Sequence, residues 1–146
     1  MSGLRLTLVG MHHPWRRFRD EWGHVALEHR PLRGDVQALT DGCRVIMDPH
    51  LLQVERRCAI AHEIVHLERR EHCSQDYAAE RRADRIAAGR LITIDALMEA
   101  MIWSDEVEEV AHELWVTPEI LRARIDILRP TEIAIIAELI ADLRAA

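Results

Sequence analysis

Asp48-Pro49-His50-Leu51-Leu52-Gln53-Val54-Glu55-Arg56-Arg57-Cys58-Ala59-Ile60-Ala61-His62-Glu63-Ile64-Val65-His66 reads as the strongest helix in the chain. Asp48 suits an N-cap, because its carboxylate can accept a hydrogen bond from a free amide of the first turn, and Pro49 suits a position with no amide to offer. Leu51, Val54, Cys58, Ala61 and Val65 then recur at helical spacing and predict a stripe that faces the core. The run ends in His62-Glu63-Ile64-Val65-His66, an HExxH sequence, which a chain of this length and composition contains by accident with an expectation of roughly 0.05. Two histidines four residues apart lie about 40° apart around a helix axis and ~6 Å along it, so both imidazoles can reach one metal ion. Glu63 points ~100° away from His62, beside such an ion, where a general base belongs.

A catalytic zinc takes three protein ligands and keeps one position open. Glu55 shares the histidine face but sits ~10.5 Å before His62 on a straight helix, so the third ligand must come from elsewhere. The next helical pattern offers Glu80-Arg81-Arg82-Ala83-Asp84. Glu80 and Asp84 project together with Tyr77, Ala83, Ala87 and Leu91, whereas Arg81, Arg82 and Arg85 project the other way. Carboxylates on an apolar helix face are costly unless a positive partner waits there. Glu80 is therefore read as the third ligand, and Asp84, one turn on, as the acceptor of a hydrogen bond from a ligand imidazole. His72 and Cys73, in a polar break between the two helices, are alternative donors to the ion. His112-Glu113 lacks a second histidine and Asp20-Glu21-Trp22-Gly23-His24 holds a helix-breaking Gly, so neither is read as a site. Cys58 falls on the core stripe and is read as packing.

Outward from this helix the pattern is mixed. Leu4, Leu6 and Leu8 alternate with polar residues as in a half-buried strand that ends at Gly10, and Pro14 opens a short helix running to about Trp22. Val25 to Leu27, Val36 to Leu39 and Arg44 to Met47 are β-prone, with a turn at Asp41-Gly42, and predict a small antiparallel sheet. A second long helix is expected from Ser74 as N-cap to beyond Leu91, and further helices open near Thr93, Ser104, Thr117 and Thr131. The expectation is an α+β fold in a single domain over 1–146, with residues 1–100 as its core and a helical extension over 101–146.

Composition narrows the partners. With 146 residues, 49% of them apolar and 30% charged, the chain can fill one core and is too hydrophobic to stay disordered. The balance of 19 basic to 25 acidic residues gives a net charge of -6, which disfavours direct nucleic-acid binding. All the basic residues are Arg. Three cysteines, Cys43, Cys58 and Cys73, form no Cys-x-x-Cys pair and fit a reducing compartment. Leu4 to Val9 is too short for a signal-peptide core, Arg5 interrupts it, and no later run approaches the length of a membrane span. A cytoplasmic protein with no membrane contact is the expectation.

Together these residues resemble the ImmA/IrrE family of metallopeptidases. The resemblance runs through His13-Pro14-Trp15-Arg16, Asp41-Gly42-Cys43-Arg44, Asp48-Pro49, Glu55 to His66 and Glu80 to Leu91, roughly the first two thirds of the chain. HExxH alone is shared by many zincins; its pairing with ExxAD a short distance on is more specific. The resemblance implies a zincin-like packing of the sheet on the HExxH helix, with His62, His66 and Glu80 as ligands of Zn²⁺ or Mn²⁺ and Glu63 as general base. It also implies limited proteolysis of a helix-turn-helix repressor, in the control of phages, mobile elements or stress genes. The chain departs from the family pattern with Val65 where Gly often precedes the second histidine, with Ile86 where Phe is common, and in lacking a Met-Pro after the second helix. These departures bear on substrate fit more than on metal binding.

In that chemistry Glu63 takes a proton from the attacking water and returns it to the leaving amine, and Tyr77 or His72 is the expected donor to the developing oxyanion. Two other readings stand beside it. A metal-bound regulator that sequesters a repressor without cutting it keeps the ligands and makes Glu63 dispensable. A DNA-binding reading rests on Ala111-x-x-x-Trp115-Val116-Thr117-x-x-x-Leu121, which has helix-turn-helix spacing, but Trp115 stands where Gly is usual and the acids of 104–128 outnumber Arg122 and Arg124.

Overall fold

The computed structural model describes residues 12–71 and 76–146, and these form an α+β fold. In chain order the elements are α1 (Pro14–Glu21), β1 (Ala26–His29), β2 (Ala38–Thr40), β3 (Arg44–Met47), α2 (Gln53–Arg69), α3 (Tyr77–Leu91), α4 (Ile94–Trp103), α5 (Val107–Leu114), α6 (Pro118–Asp126) and α7 (Pro130–Ala145). The strand expected at Leu4 to Val9 and the cap expected at Ser74 lie outside the described residues.

The sheet is mixed, a correction to the antiparallel expectation. Its order is β1-β3-β2, with β1 parallel to β3 and β2 antiparallel to it. Asp41 and Gly42 close the β2–β3 hairpin, where Gly42 has φ 89° and Asp41 Oδ1 accepts from the amides of Cys43 and Arg44. That hairpin occupies the centre and one edge. Segment 30–37, which turns at Gly34 with φ 63°, carries the chain past β3, so β1 is left on the far side running in the same direction as β3.

The HExxH helix starts later than its sequence suggests. Leu52 is the N-cap, and Glu55 accepts from the Leu52 amide at 2.7 Å. Asp48 instead closes a tight turn on the amide of His50 and holds the amide of Leu32, both at 2.9 Å. Two of the expected caps appear, with Thr93 and Thr117 accepting from Ala96 and Ile120, whereas α3 is capped by Asp76 through Ala78, not by Ser74. At α5 the cap position belongs to Glu106, with Ser104 accepting from its amide, and at α7 to Arg129, whose amide donates to Glu132.

More than a single stripe of α2 is buried, because the helix stands between two cores. Ala59, Ile60, Ile64 and Leu67 pack with Phe18 of α1 and with Val45 and Met47 of β3. Cys58, Ala61 and Val65 pack with Ala83, Ala87 and Leu91 of α3 and with residues of α4 to α6. Burying each large aliphatic side chain contributes about 1.5–3 kcal/mol, so this helix is the most strongly held element in the fold. Small residues matter equally on the α3 side: Ala61, Ala83 and Ala87 are at most 2% exposed and let the two helices approach closely.

The helical C-terminal part joins the same core. Arg57 Nη1 donates to the carbonyl of Trp115 at 2.7 Å, and Arg124 Nε donates to the carbonyl of Ile92 at 2.7 Å. These bonds pin the α5–α6 turn to α2 and α6 to the end of α3. Trp115 supplies that turn in the left-handed conformation, with φ 53°, and its ring lies under the Arg57 guanidinium, 5.2 Å from it. Helix α6 buries Ile120, Leu121, Ala123 and Arg124, and Glu119, Arg122 and Asp126 are among its exposed residues. No helix among the described residues is long and apolar enough to cross a membrane.

Candidate metal centre

Close approach of α2 and α3 brings three donor groups together. His62 Nε2 lies 3.0 Å from His66 Nε2, and the Glu80 carboxylate reaches both, with Oε2 at 2.9 Å from His62 and Oε1 at 2.8 Å from His66. A tetrahedral ion with bonds of ~2.05 Å separates its ligand atoms by ~3.3 Å, so the trio needs only a few tenths of an ångström of expansion to hold one. The chemistry of the set, two imidazole nitrogens and one carboxylate oxygen, also suits Zn²⁺. Among the described residues this is the group of His, Cys, Asp and Glu side chains that can hold a metal ion.

A further carboxylate stands behind each imidazole. Asp84 Oδ1 accepts from His62 Nδ1 at 2.7 Å, which leaves His62 Nε2 to face the centre. Glu71 Oε2 lies 3.5 Å from His66 Nδ1, an atom that is otherwise buried without a partner. Glu71 is invisible to a spacing argument. It arrives because Arg70 adopts φ 55° and turns the chain back, so that the Glu71 amide donates to the carbonyl of His66 at 3.0 Å. Arg69 and Arg82 then hold Glu71 Oε1 at 2.8 and 2.9 Å.

The electrostatics show a demand for positive charge. Burial opposes the imidazolium of His62, yet its bonds to Asp84 and Glu80 outweigh that and push it up to about 10. Hydrogen bonding to His62 holds the Glu80 carboxyl below its ordinary range, while burial and the neighbouring His62 push His66 down. A divalent ion meets the same demand that a proton meets on His62.

Glu63 is 4% exposed, and burial pushes its carboxyl up to about 7, with His62 opposing and Glu80 and Asp84 reinforcing the rise. It makes no hydrogen bond among the described residues. Glu63 and His62 line an open cavity of about 650 Å³ together with Cys58, Ala59, Glu80 and Asp84. The remaining walls are residues 35–38, leading into β2, and Thr117, Glu119 and Ile120 at the head of α6. His66, also 4% exposed, is not among the wall residues.

His62, Glu63, His66, Glu80 and Asp84 are thus brought to one place. Tyr77 is not: it is 73% exposed at the start of α3, its ring beneath Arg81 at 5.6 Å, and it stands outside the cavity walls. This corrects the expectation of Tyr77 as a donor into the site. His72 and Cys73 lie outside the described residues. Cys58 is packed as expected, 3% exposed, yet it also touches the cavity. The wall formed by α6 was beyond sequence reasoning, because it depends on the contact between Arg57 and Trp115 across the fold. Comparison of the chain with family models, curated proteins and solved structures finds no match.

Proposed function

We propose that the chain is a zinc-dependent metallo-endopeptidase in which His62, His66 and Glu80 hold the ion and Glu63 is the general base. The observation that carries this reading is the convergence of the three donor atoms beside a buried, unpartnered Glu63 at the wall of an open cavity. A bound Zn²⁺ supplies Lewis acidity, polarising a scissile carbonyl and acidifying water. Glu63, at the cavity wall, accepts the proton of the attacking water and hands it to the leaving amine. Asp84 and Glu71 keep the two imidazoles in the orientation that ligation needs. Among the described residues β2 is an edge strand, and residues 35–38 at its start line the cavity, so an extended peptide can run along this side by main-chain pairing.

The resemblance to ImmA/IrrE metallopeptidases supplies the substrate class: a helix-turn-helix repressor cut at a limited number of bonds in a regulatory switch. The test is incubation of the metal-loaded protein with the repressor encoded beside its gene. About one ion per chain and a fragment absent with Glu63→Gln are expected. A protein that binds no metal in metal-replete medium, or a fragment that persists with Glu63→Gln, removes the proposal. Regulation that survives Glu63→Gln identifies the sequestering regulator instead.

A further inference from the structure

Acids outnumber cationic groups on the walls of the cavity beside the histidines. Among the described residues its walls hold five carboxylates, those of Asp35, Glu63, Glu80, Asp84 and Glu119, and no arginine. Glu80 and Asp84 are bound to His62, and a divalent ion offsets only two charges. Asp35 and Glu119 stand apart from the metal centre. Asp35 is exposed and has neither hydrogen bond nor ion pair among the described residues. Glu119 has only a 4.0 Å contact with Arg122 on the helix surface. Each is followed by an apolar residue that lines the same cavity, Val36 after Asp35 and Ile120 after Glu119.

An apolar strip beside a carboxylate matches a long side chain with a methylene stem and a cationic head. A second, independent feature points to a ligand in this space: Glu63 is 4% exposed, faces the same cavity and lacks a hydrogen-bond partner among the described residues. Concave walls with an excess of carboxylates also attract an incoming cation and disfavour acidic peptides.

We infer that Asp35 and Glu119 select the substrate, admitting a peptide whose scissile bond is flanked by arginine or lysine. This rests on the endopeptidase reading and narrows its substrate to a cationic segment. Asp35 and Glu119 are specificity residues; the chemistry remains with Glu63 and the three ligands.

The test uses three peptides that differ at one position flanking the bond, Arg, Gln or Glu, with the zinc-loaded full chain. The Arg peptide is expected to exceed the Gln peptide about tenfold in kcat/KM, the scale of a charge-assisted hydrogen bond in a partly open site, mostly through KM. In the double variant Asp35→Asn, Glu119→Gln, with zinc content equal to wild type, the Arg-to-Gln ratio falls toward one. The variant Asp35→Arg, Glu119→Arg turns the preference to the Glu peptide. Equal cleavage of all three by wild type, or a ratio that survives the double neutralisation, overturns the inference. The same peptides, fluorescently labelled, are titrated into zinc-loaded Glu63→Gln. The same order in Kd is expected there, weakening as salt rises, and equal Kd values overturn charge selection. If wild type cuts none of the peptides, the peptidase reading falls while this titration still decides the inference.

Discussion

His62 Nδ1 and Asp84 Oδ1 lie 2.7 Å apart, the shortest of the contacts that orient the two histidines. A carboxylate accepts and cannot donate, so the bond assigns the Nδ1 proton and aims Nε2 toward His66 and Glu80. Asp84→Ala is expected to weaken Zn²⁺ binding by about 10–100-fold, because the ring loses both its orientation and the basicity the carboxylate lends it. Asp84→Asn keeps an acceptor without the charge and should fall between. Competition with a chromogenic chelator measures both, and unaltered affinity in Asp84→Ala denies Asp84 this role.

The two helices that carry the ligands meet over alanines. Ala83 is fully buried in the same cluster as Ala61 and Val65. Ala83→Leu forces extra volume into that seam, at a cost of about 1–3 kcal/mol, and moves Glu80 and Asp84 away from the imidazoles. The expected result is a lower Tm of the metal-free protein together with at least a tenfold loss of Zn²⁺ affinity. Asp84→Ala adds no volume to the seam and is expected to lower the Tm only through the lost His62 bond, so its Tm deficit should vanish above the His62 value of about 10 whereas that of Ala83→Leu persists, which separates a missing hydrogen bond from a displaced helix.

Arg57 couples the far end of the cavity to α2. Its Nη1 bonds the carbonyl of Trp115, a non-glycine residue in the left-handed region. Arg57→Ala leaves that carbonyl without its charged donor and empties buried space, so a loss of about 2–3 kcal/mol is expected in urea unfolding. Lysine should rescue little, since it lacks the planar group that stacks on the indole. Faster hydrogen exchange at the amides of 115–117, beyond the global change, would show that the α6 wall has come loose.

Much of the centre was legible in the sequence because it follows from helical periodicity. His62, His66, Glu80 and Asp84 need only the 3.6-residue repeat and the cost of stranding carboxylates on an apolar face. The caps at Thr93 and Thr117 were legible for a similar local reason. What escaped depends on contacts distant in sequence or on one backbone angle. The strands have three or four residues each, too few for their pattern to choose a partner, so the parallel pairing of β1 was hidden. Glu71 reaches His66 only through the left-handed turn at Arg70, and Tyr77, on the right helix, sits one turn too early to enter the cavity.

Asp48 precedes α2 without capping it and ties the cavity wall to the entry of that helix. Its carboxylate holds the amides of Leu32 and His50, and its own amide donates to the carbonyl of Gln37 at 2.9 Å. The segment between Leu32 and Gln37 contains Asp35 and Val36, so this single residue frames one side of the cavity. The amides of Leu32 and His50 hold the Asp48 carboxyl below its usual range. A carboxyl lowered by folding contributes stability that is complete above its unfolded pKa, about 3.9, and is lost as pH falls through the lower folded value. Asp48→Asn is therefore expected to lower the urea midpoint at pH 7, and its deficit relative to wild type should shrink as pH drops below 4. A deficit that stays constant from pH 7 to pH 3 would mean that the charge of Asp48 contributes nothing and that only the shape of its side chain matters.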